Sequence, residues 1–186
     1  MRLFIALDIP ADIKTGIARA QTILKNSRVS ASWPKADGIH LTLKFLGKVP
    51  KIEIPKIKTA LESAALSVGS FQLNVCGAGA FPNEKNARVA WIGISGEVEK
   101  LKLLQIAVEN AMASVGFKPE DRPFVPHLTI GRIKHIPSLP EWTKGLNEIK
   151  KIAFSPFTAH SVCLVKSDLC QSGAVYTELA SIPLKS

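Results

Sequence analysis

His40-Leu41-Thr42 and His127-Leu128-Thr129 are two copies of one tripeptide, His-x-Thr, each inside a short apolar run. The copies lie 127 − 40 = 87 positions apart, and the same offset aligns further segments of the chain. The aligned pairs include Leu3–Leu7 with Ala90–Ile94 and Phe71–Val75 with Thr158–Val162. A repeat that keeps its register from strand to strand predicts two similar lobes, whose histidines are related by a pseudo-twofold axis.

The apolar periodicity predicts the same order of elements, β-α-β-α-β, in both copies. Predicted strands are Leu3–Leu7, His40–Phe45 and Phe71–Val75 in the first copy, and Val89–Ile94, His127–Ile133 and about 158–165 in the second. Helices fill the gaps, the longest ending before Gly116 and the shortest around Trp142–Leu146. A hairpin through Gly173 and Tyr176 closes the chain.

These elements predict an α+β fold made of duplicated β-α-β-α-β units related by a pseudo-twofold axis. Two sheets of antiparallel type would face a central cleft, with the helices outside. We expect a single bilobed domain over residues 1–186, with repeats at roughly 1–76 and 88–165 plus the C-terminal hairpin. Its 186 residues, 46% of them hydrophobic, are enough to bury one core of this kind.

Composition narrows the classes of function. A formal charge of +9 favours a polyanionic partner, although the 24 Lys and Arg residues are spread along the whole chain. No segment is long enough to cross a membrane, and the apolar N-terminal run stops at Asp8 and Pro10. Cys76, Cys163 and Cys170 form neither an even disulfide set nor a C-x-x-C pair, so we expect a cytoplasmic protein with idle thiols.

The spacing within His-x-Thr indicates what the tripeptide is for. Side chains two positions apart in a strand point to the same face, so each histidine projects beside its threonine while leucines lie behind them. A hydroxyl that donates to a phosphoryl oxygen beside a ring that moves a proton suits a phosphate site. Zinc is the rival interpretation of paired histidines, but neither copy has a Cys, Asp or Glu at ligand spacing, so we expect no metal.

The chain resembles the two-histidine phosphoesterase superfamily, and most closely its RNA 2′,3′-cyclic phosphodiesterases, long called 2′-5′ RNA ligases. The resemblance spans nearly the whole chain. Its segments are Met1–Leu7, Trp33-Pro34, His40–Gly47, Phe81-Pro82, Ala87–Gly93, Pro126–Arg132, Val165–Leu169 and Gly173–Tyr176. Each segment is short, but their order and spacing together are specific to this family.

The resemblance implies metal-independent hydrolysis of a terminal 2′,3′-cyclic phosphate on RNA to a 2′-phosphate, without a cofactor. It also implies a weak reverse reaction that joins tRNA half-molecules through a 2′-5′ linkage. By resemblance, His40 is the proton donor and His127 the proton acceptor, and Thr42 and Thr129 bind the phosphate oxygens. The residues alone leave open which imidazole carries the proton. We expect a monomer.

Two further residues are candidates for substrate binding, and each meets an objection. The resemblance places Arg132 in the site, whereas alternation from His127 sends it to the opposite face unless a bulge, twist or strand end turns it back. Phe45 occupies the matching position by the 87-residue offset and could stack on a base. Alternation instead favours Phe45 in the core together with Leu41 and Leu43.

Two other classes of function stay open at this point. The cleft could bind a nucleotide or an RNA end without turning it over, although binding alone needs no proton carriers. It could instead act as a cyclic phosphodiesterase on a small nucleotide, an alternative that the basic composition slightly disfavours.

Overall fold

The computed structural model describes residues 1–170 and 173–185. The strands are β1 (Arg2–Leu7), β2 (Ser30–Ser32), β3 (Leu41–Lys48), β4 (Phe71–Phe81), β5 (Val89–Gly96), β6 (His127–His135), β7 (Phe157–Ala159), β8 (Ser161–Cys170) and β9 (Gly173–Pro183). The α-helices are α1 (Ala11–Asn26), α2 (Ile54–Ala65), α3 (Val98–Ser114) and α4 (Leu139–Ile149). Short 3₁₀ helices cover Ala36–Gly38 and Lys51–Glu53.

The strands form two antiparallel sheets. Sheet A has four strands in the order β3-β1-β8-β9, and sheet B has five in the order β2-β6-β5-β4-β7. The 87-residue offset carries β3 and β1 of sheet A onto β6 and β5 of sheet B. The predicted α+β class, with duplicated units and two antiparallel sheets, is confirmed.

The two repeats exchange their third strands, an arrangement that the apolar pattern does not predict. β4 of the first repeat pairs with β5 of the second, while β8 of the second pairs with β1 of the first. Each sheet therefore combines strands from both halves, and the division at 1–76 and 88–165 does not separate the sheets.

The strand expected at about 158–165 is in fact two strands. β7 ends at Ala159 and pairs with β4 in sheet B, whereas β8 begins at Ser161 and pairs with β1 in sheet A. The chain therefore crosses from one sheet to the other at His160, a change of partner that leaves no mark in the apolar periodicity. The predicted hairpin is β8–β9, and its turn at 171–172 lies outside the described residues.

Three of the helices bury an apolar face. The residues with no more than 1% exposure include Ile13, Ile17, Ala20 and Leu24 of α1, Ile57, Leu61 and Ala65 of α2, and Leu101, Leu104, Val108 and Met112 of α3. Burial of each large aliphatic side chain contributes about 1.5–3 kcal/mol, so these stripes attach the helices to the sheets. Gly116 has φ +99°, the left-handed conformation expected just after a helix.

The face of sheet A that points away from the main core is covered much less completely, and we call it the open face. Its buried residues Phe4, Ala6, Cys163 and Val165 form a cluster of their own, against which Tyr176 packs. The open face of sheet B is the face that carries Trp91 and Thr129, which pair across β5 and β6. None of the helices within residues 1–170 and 173–185 is both long and apolar enough to cross a membrane.

Candidate active site

The two His-x-Thr segments have the same burial pattern over nine residues. The nine residues from His40 to Lys48 and the nine from His127 to His135 follow the same order. In each segment the residues are half-buried, buried, half-buried, buried, buried, exposed, buried, exposed and exposed. Two adjacent buried residues break the alternation at the same place in both strands. Such an interruption is typical of a β-bulge.

The strand registers locate the bulges. In sheet A, Ala6 pairs with Thr42 and Ile5 with Lys44, so Leu43 is the extra residue. In sheet B, Trp91 pairs with Thr129 and Ala90 with Gly131, so Ile130 is extra. Leu43 and Ile130 are 87 positions apart, so the duplication has kept the bulge together with the histidines.

The bulges decide the positions of Phe45 and Arg132. Phe45 pairs with Phe4 and Arg132 with Val89, so both lie on the open faces with Thr42 and Thr129. Phe45 is 70% exposed, and the expectation that it enters the core is wrong because Leu43 and Lys44 are both buried ahead of it. Arg132 is exposed. The bulge at Ile130 shifts the alternation by one residue, so Arg132 lies on the same face of the sheet as Thr129.

Both catalytic candidates are held by the same local hydrogen bond. His40 donates Nδ1–H to the carbonyl oxygen of Gly38 at 2.8 Å, and His127 donates Nδ1–H to that of Val125 at 2.7 Å. A carbonyl only accepts, so the proton must lie on Nδ1. Nε2 of each ring is then a bare lone pair in the neutral form or an N–H donor in the charged form. The two rings therefore present the same atom for proton transfer.

Aromatic side chains fix the orientation of each ring. His40 makes T-shaped contacts with Phe4 and Tyr176, with centroids 5.7 and 5.6 Å apart, and His127 makes one with Phe81 at 5.0 Å. Gly38 supplies the room that Tyr176 needs, because a Cβ at Gly38 would lie 2.6 Å from the tyrosine ring. The contacts of Phe4, Gly38 and Phe81 with this site cannot be predicted from the sequence alone, since they depend on how the strands pair.

The electrostatic surroundings of His40 involve three charged residues. Asp8 Oδ1 lies 3.9 Å from His40 Nε2 and also pairs with Lys14 Nζ at 2.9 Å. Burial is the main influence on the ring and sets its pKa below the ordinary 6.5. The Gly38 carbonyl, Asp8 and Glu178 oppose this lowering of the pKa, whereas Lys14 adds to it.

Polar contacts in the core brace β3, which begins directly after His40, and β6, which begins at His127. β3 and β6 touch at the junction of the two sheets. The Gln21 amide of α1 donates to the carbonyls of Pro34, at 2.8 Å, and Ile130, at 2.9 Å, so it satisfies the carbonyl of the bulge residue. The Lys44 ammonium is buried and pairs with Glu109 of α3.

The other histidines lie apart from this arrangement. His135 and His160 are exposed, in agreement with their lack of a partner threonine. Over residues 1–170 and 173–185, three or more His, Cys, Asp or Glu side chains do not come together in any group suited to a metal ion.

Comparison with known proteins supplies the family. A model of the LigT like Phosphoesterase family matches the chain twice, over residues 7–91 and 92–176. This chain belongs to the LigT-like phosphoesterases. Each match contains one His-x-Thr segment with its neighbouring elements.

Relatives of this LigT-like phosphoesterase are similar along their whole length. A Methanocaldococcus jannaschii protein named RNA 2′,3′-cyclic phosphodiesterase is 35% identical over 178 residues, covering 95% of this chain and 96% of that protein. One of the same name from Thermotoga maritima is 32% identical, covering 96% and 93%. A crystal structure of a Thermus thermophilus protein superposes with a TM-score of 0.80 at 26% identity, covering 100% and 98%. E. coli LigT in apo form gives 0.77 at 25%, with the same coverage.

Proposed function

We propose that this protein is an RNA 2′,3′-cyclic phosphodiesterase that opens a terminal cyclic phosphate to a 2′-phosphate. The observation that carries the proposal is the pair of His-x-Thr segments with matching bulges and matching Nδ1 hydrogen bonds. Relatives at 28–35% identity bear this name, which supports the choice of substrate.

In the proposed mechanism, His127 acts as the base. Its Nε2 lone pair takes a proton from water as the water oxygen attacks phosphorus, and a new P–O bond forms. The bond from phosphorus to O3′ breaks, and His40 Nε2–H gives its proton to O3′. General acid–base help of this kind is typically worth about 10²–10⁴ in rate.

The remaining residues stabilise the substrate and the developing charge. The hydroxyls of Thr42 and Thr129 donate to the two non-bridging oxygens, where negative charge grows in the transition state. The Arg132 guanidinium binds phosphate, and Phe45 stacks on the terminal base. The exposure of both side chains on the open faces supports these roles.

The experiment is product identification. The purified protein is incubated in EDTA with a short RNA that ends in a 2′,3′-cyclic phosphate, and the product is compared with 2′- and 3′-phosphate standards. We expect a 2′-phosphate, with H40A and H127A inactive but folded. A 3′-phosphate would contradict the assignment of the leaving oxygen, and loss of activity that zinc restores would contradict the metal-independent mechanism.

Further assignments extend the same proposal. We infer that the RNA substrates include tRNA half-molecules, that ligation through a 2′-5′ linkage is a weak reverse reaction, and that the enzyme works as a cytoplasmic monomer. The formal charge of +9 supports an RNA rather than a small nucleotide as substrate. A cyclic mononucleotide that is turned over more efficiently than the RNA would favour the small-substrate alternative.

A further inference from the structure

The two histidines match in their hydrogen bonds but differ in what lies opposite them on the neighbouring strand. Gly93 pairs directly with His127. In sheet A the last pair is Leu7 with Leu41, so the next residue, Asp8, lies opposite His40. His40 therefore has a carboxylate for a neighbour, whereas His127 has a residue without a side chain.

The surroundings of Gly93 exclude a side chain opposite His127. A Cβ at this position would lie 2.9 Å from the Cys76 carbonyl oxygen, so sheet B has no space for a side chain there. Asp8 projects from the end of β1, and its Oδ1 reaches 3.9 Å from His40 Nε2, the atom that transfers the proton. A carboxylate at this distance stabilises the imidazolium relative to the neutral ring.

We propose that Asp8 is a positioning residue that favours the protonated form of His40, which the donor role requires, against the burial of the ring, and that Lys14 limits its effect. Lys14 Nζ lies 2.9 Å from the same carboxylate oxygen. Lys14 thereby offsets part of the Asp8 charge, which would otherwise repel an anionic phosphate. Glu178 of β9 is the third charged group that acts on the ring. The catalytic role of Asp8 rests on the proposed function, whereas the effect of Asp8 on the pKa of His40 is tested independently of that function.

The test compares D8N and K14Q, two variants that break the same ion pair. If Asp8 were only structural, both variants would have the same effect. The electrostatic role predicts opposite effects: D8N lowers the pKa of His40, because it removes a negative charge, and K14Q raises it, because it removes a positive one. The titration is followed by NMR on the His40 ring protons of the intact protein. D8E should restore the parent value.

Activity gives the second measurement. If His40 is the donor, kcat/KM for the cyclic-phosphate RNA at about pH 8 falls roughly two- to threefold in D8N and rises in K14Q. The limb of the pH profile that coincides with the His40 titration should move with it. E99Q and K102Q, which break an exposed pair of 2.8 Å on α3, serve as matched controls and should leave the His40 titration unchanged.

The outcomes separate the two proposals. Shifts of the His40 pKa in the same direction in D8N and K14Q, or no shift in either, overturn the role of Asp8 even if the RNA is hydrolysed. If the pKa of His40 shifts in opposite directions in the two variants but kcat/KM rises in D8N, His40 is the base, and the catalytic part of the inference is overturned. Opposite shifts in a protein that does not open the cyclic phosphate leave the electrostatic asymmetry standing and contradict the proposed function.

Discussion

Thr42 and Thr129 occupy matching positions, so their contributions to catalysis should be similar. Each lies half-buried on an open face beside its histidine. Valine keeps the shape of threonine and removes only the hydroxyl donor. We expect T42V and T129V each to lower kcat on the order of 10²-fold, with a smaller change in KM, because the lost hydrogen bond strengthens in the transition state.

Steady-state kinetics on the cyclic-phosphate RNA measures both constants. T158V, at an exposed site on the edge strand β7, is a matched control and should resemble the parent. A rise in KM with kcat unchanged would show that the hydroxyls bind substrate and transition state equally, which contradicts their assigned role.

Gly38 leaves room for Tyr176, whose ring makes an edge contact with His40. G38A would bring a methyl group into the tyrosine ring, which must then move and release its edge contact with His40. We expect kcat/KM to fall about tenfold or more, since small misplacements of a catalytic group are costly. Because Y176A removes both the clash and the contact, adding G38A to Y176A should have little further effect. Additive effects in this double-mutant cycle would contradict the coupling.

The histidines and threonines could be chosen from the sequence because their motif is local and repeated. Asp8 could not, because the 87-residue offset aligns it with Ser95, which pairs with Asn74 and not with His127. Its position opposite His40 depends on the register between β1 and β3. Registers of this kind are set by the whole sheet and are not visible in one strand.

The bulge in β3 has a direct consequence for stability. It buries Leu43, which is 4% exposed, and leaves Phe45 on the surface. We expect L43A to reduce the free energy of unfolding by about 2–5 kcal/mol, as for other buried leucines. F45A should change it by less than about 0.5 kcal/mol, the usual range for a surface site, while raising KM for the RNA.

Urea unfolding of the two variants measures the difference in stability. Simple alternation would place Leu43 and Phe45 on one face and predicts a large loss for both. A loss of several kcal/mol in F45A would therefore contradict the bulge, since truncation of a core phenylalanine costs about 3–5 kcal/mol. The apolar pattern predicts the strand but not the bulge, because a bulge is recognised from the pairing with the neighbouring strand, which the sequence of one strand does not show.

The exchange of third strands makes the two repeats interdependent. Without β8, β1 would lose one of its two partners, and without β5, β4 would keep only the short β7. The repeat was visible in the sequence because both copies retain their apolar pattern. The exchange was not, because a buried strand has the same pattern in either sheet.

This interdependence predicts that the protein unfolds as one unit, although the family model divides it into halves at 91 and 92. We expect a single calorimetric transition whose calorimetric and van't Hoff enthalpies agree, because neither sheet is complete without strands from both halves. Cleavage in the exposed loop between β4 and β5, at 83–86, should give fragments that stay associated and regain structure only when mixed after separation. Two resolved transitions, or a fragment of residues 1–84 that folds alone, would contradict the prediction and would mean that each repeat completes a sheet by itself.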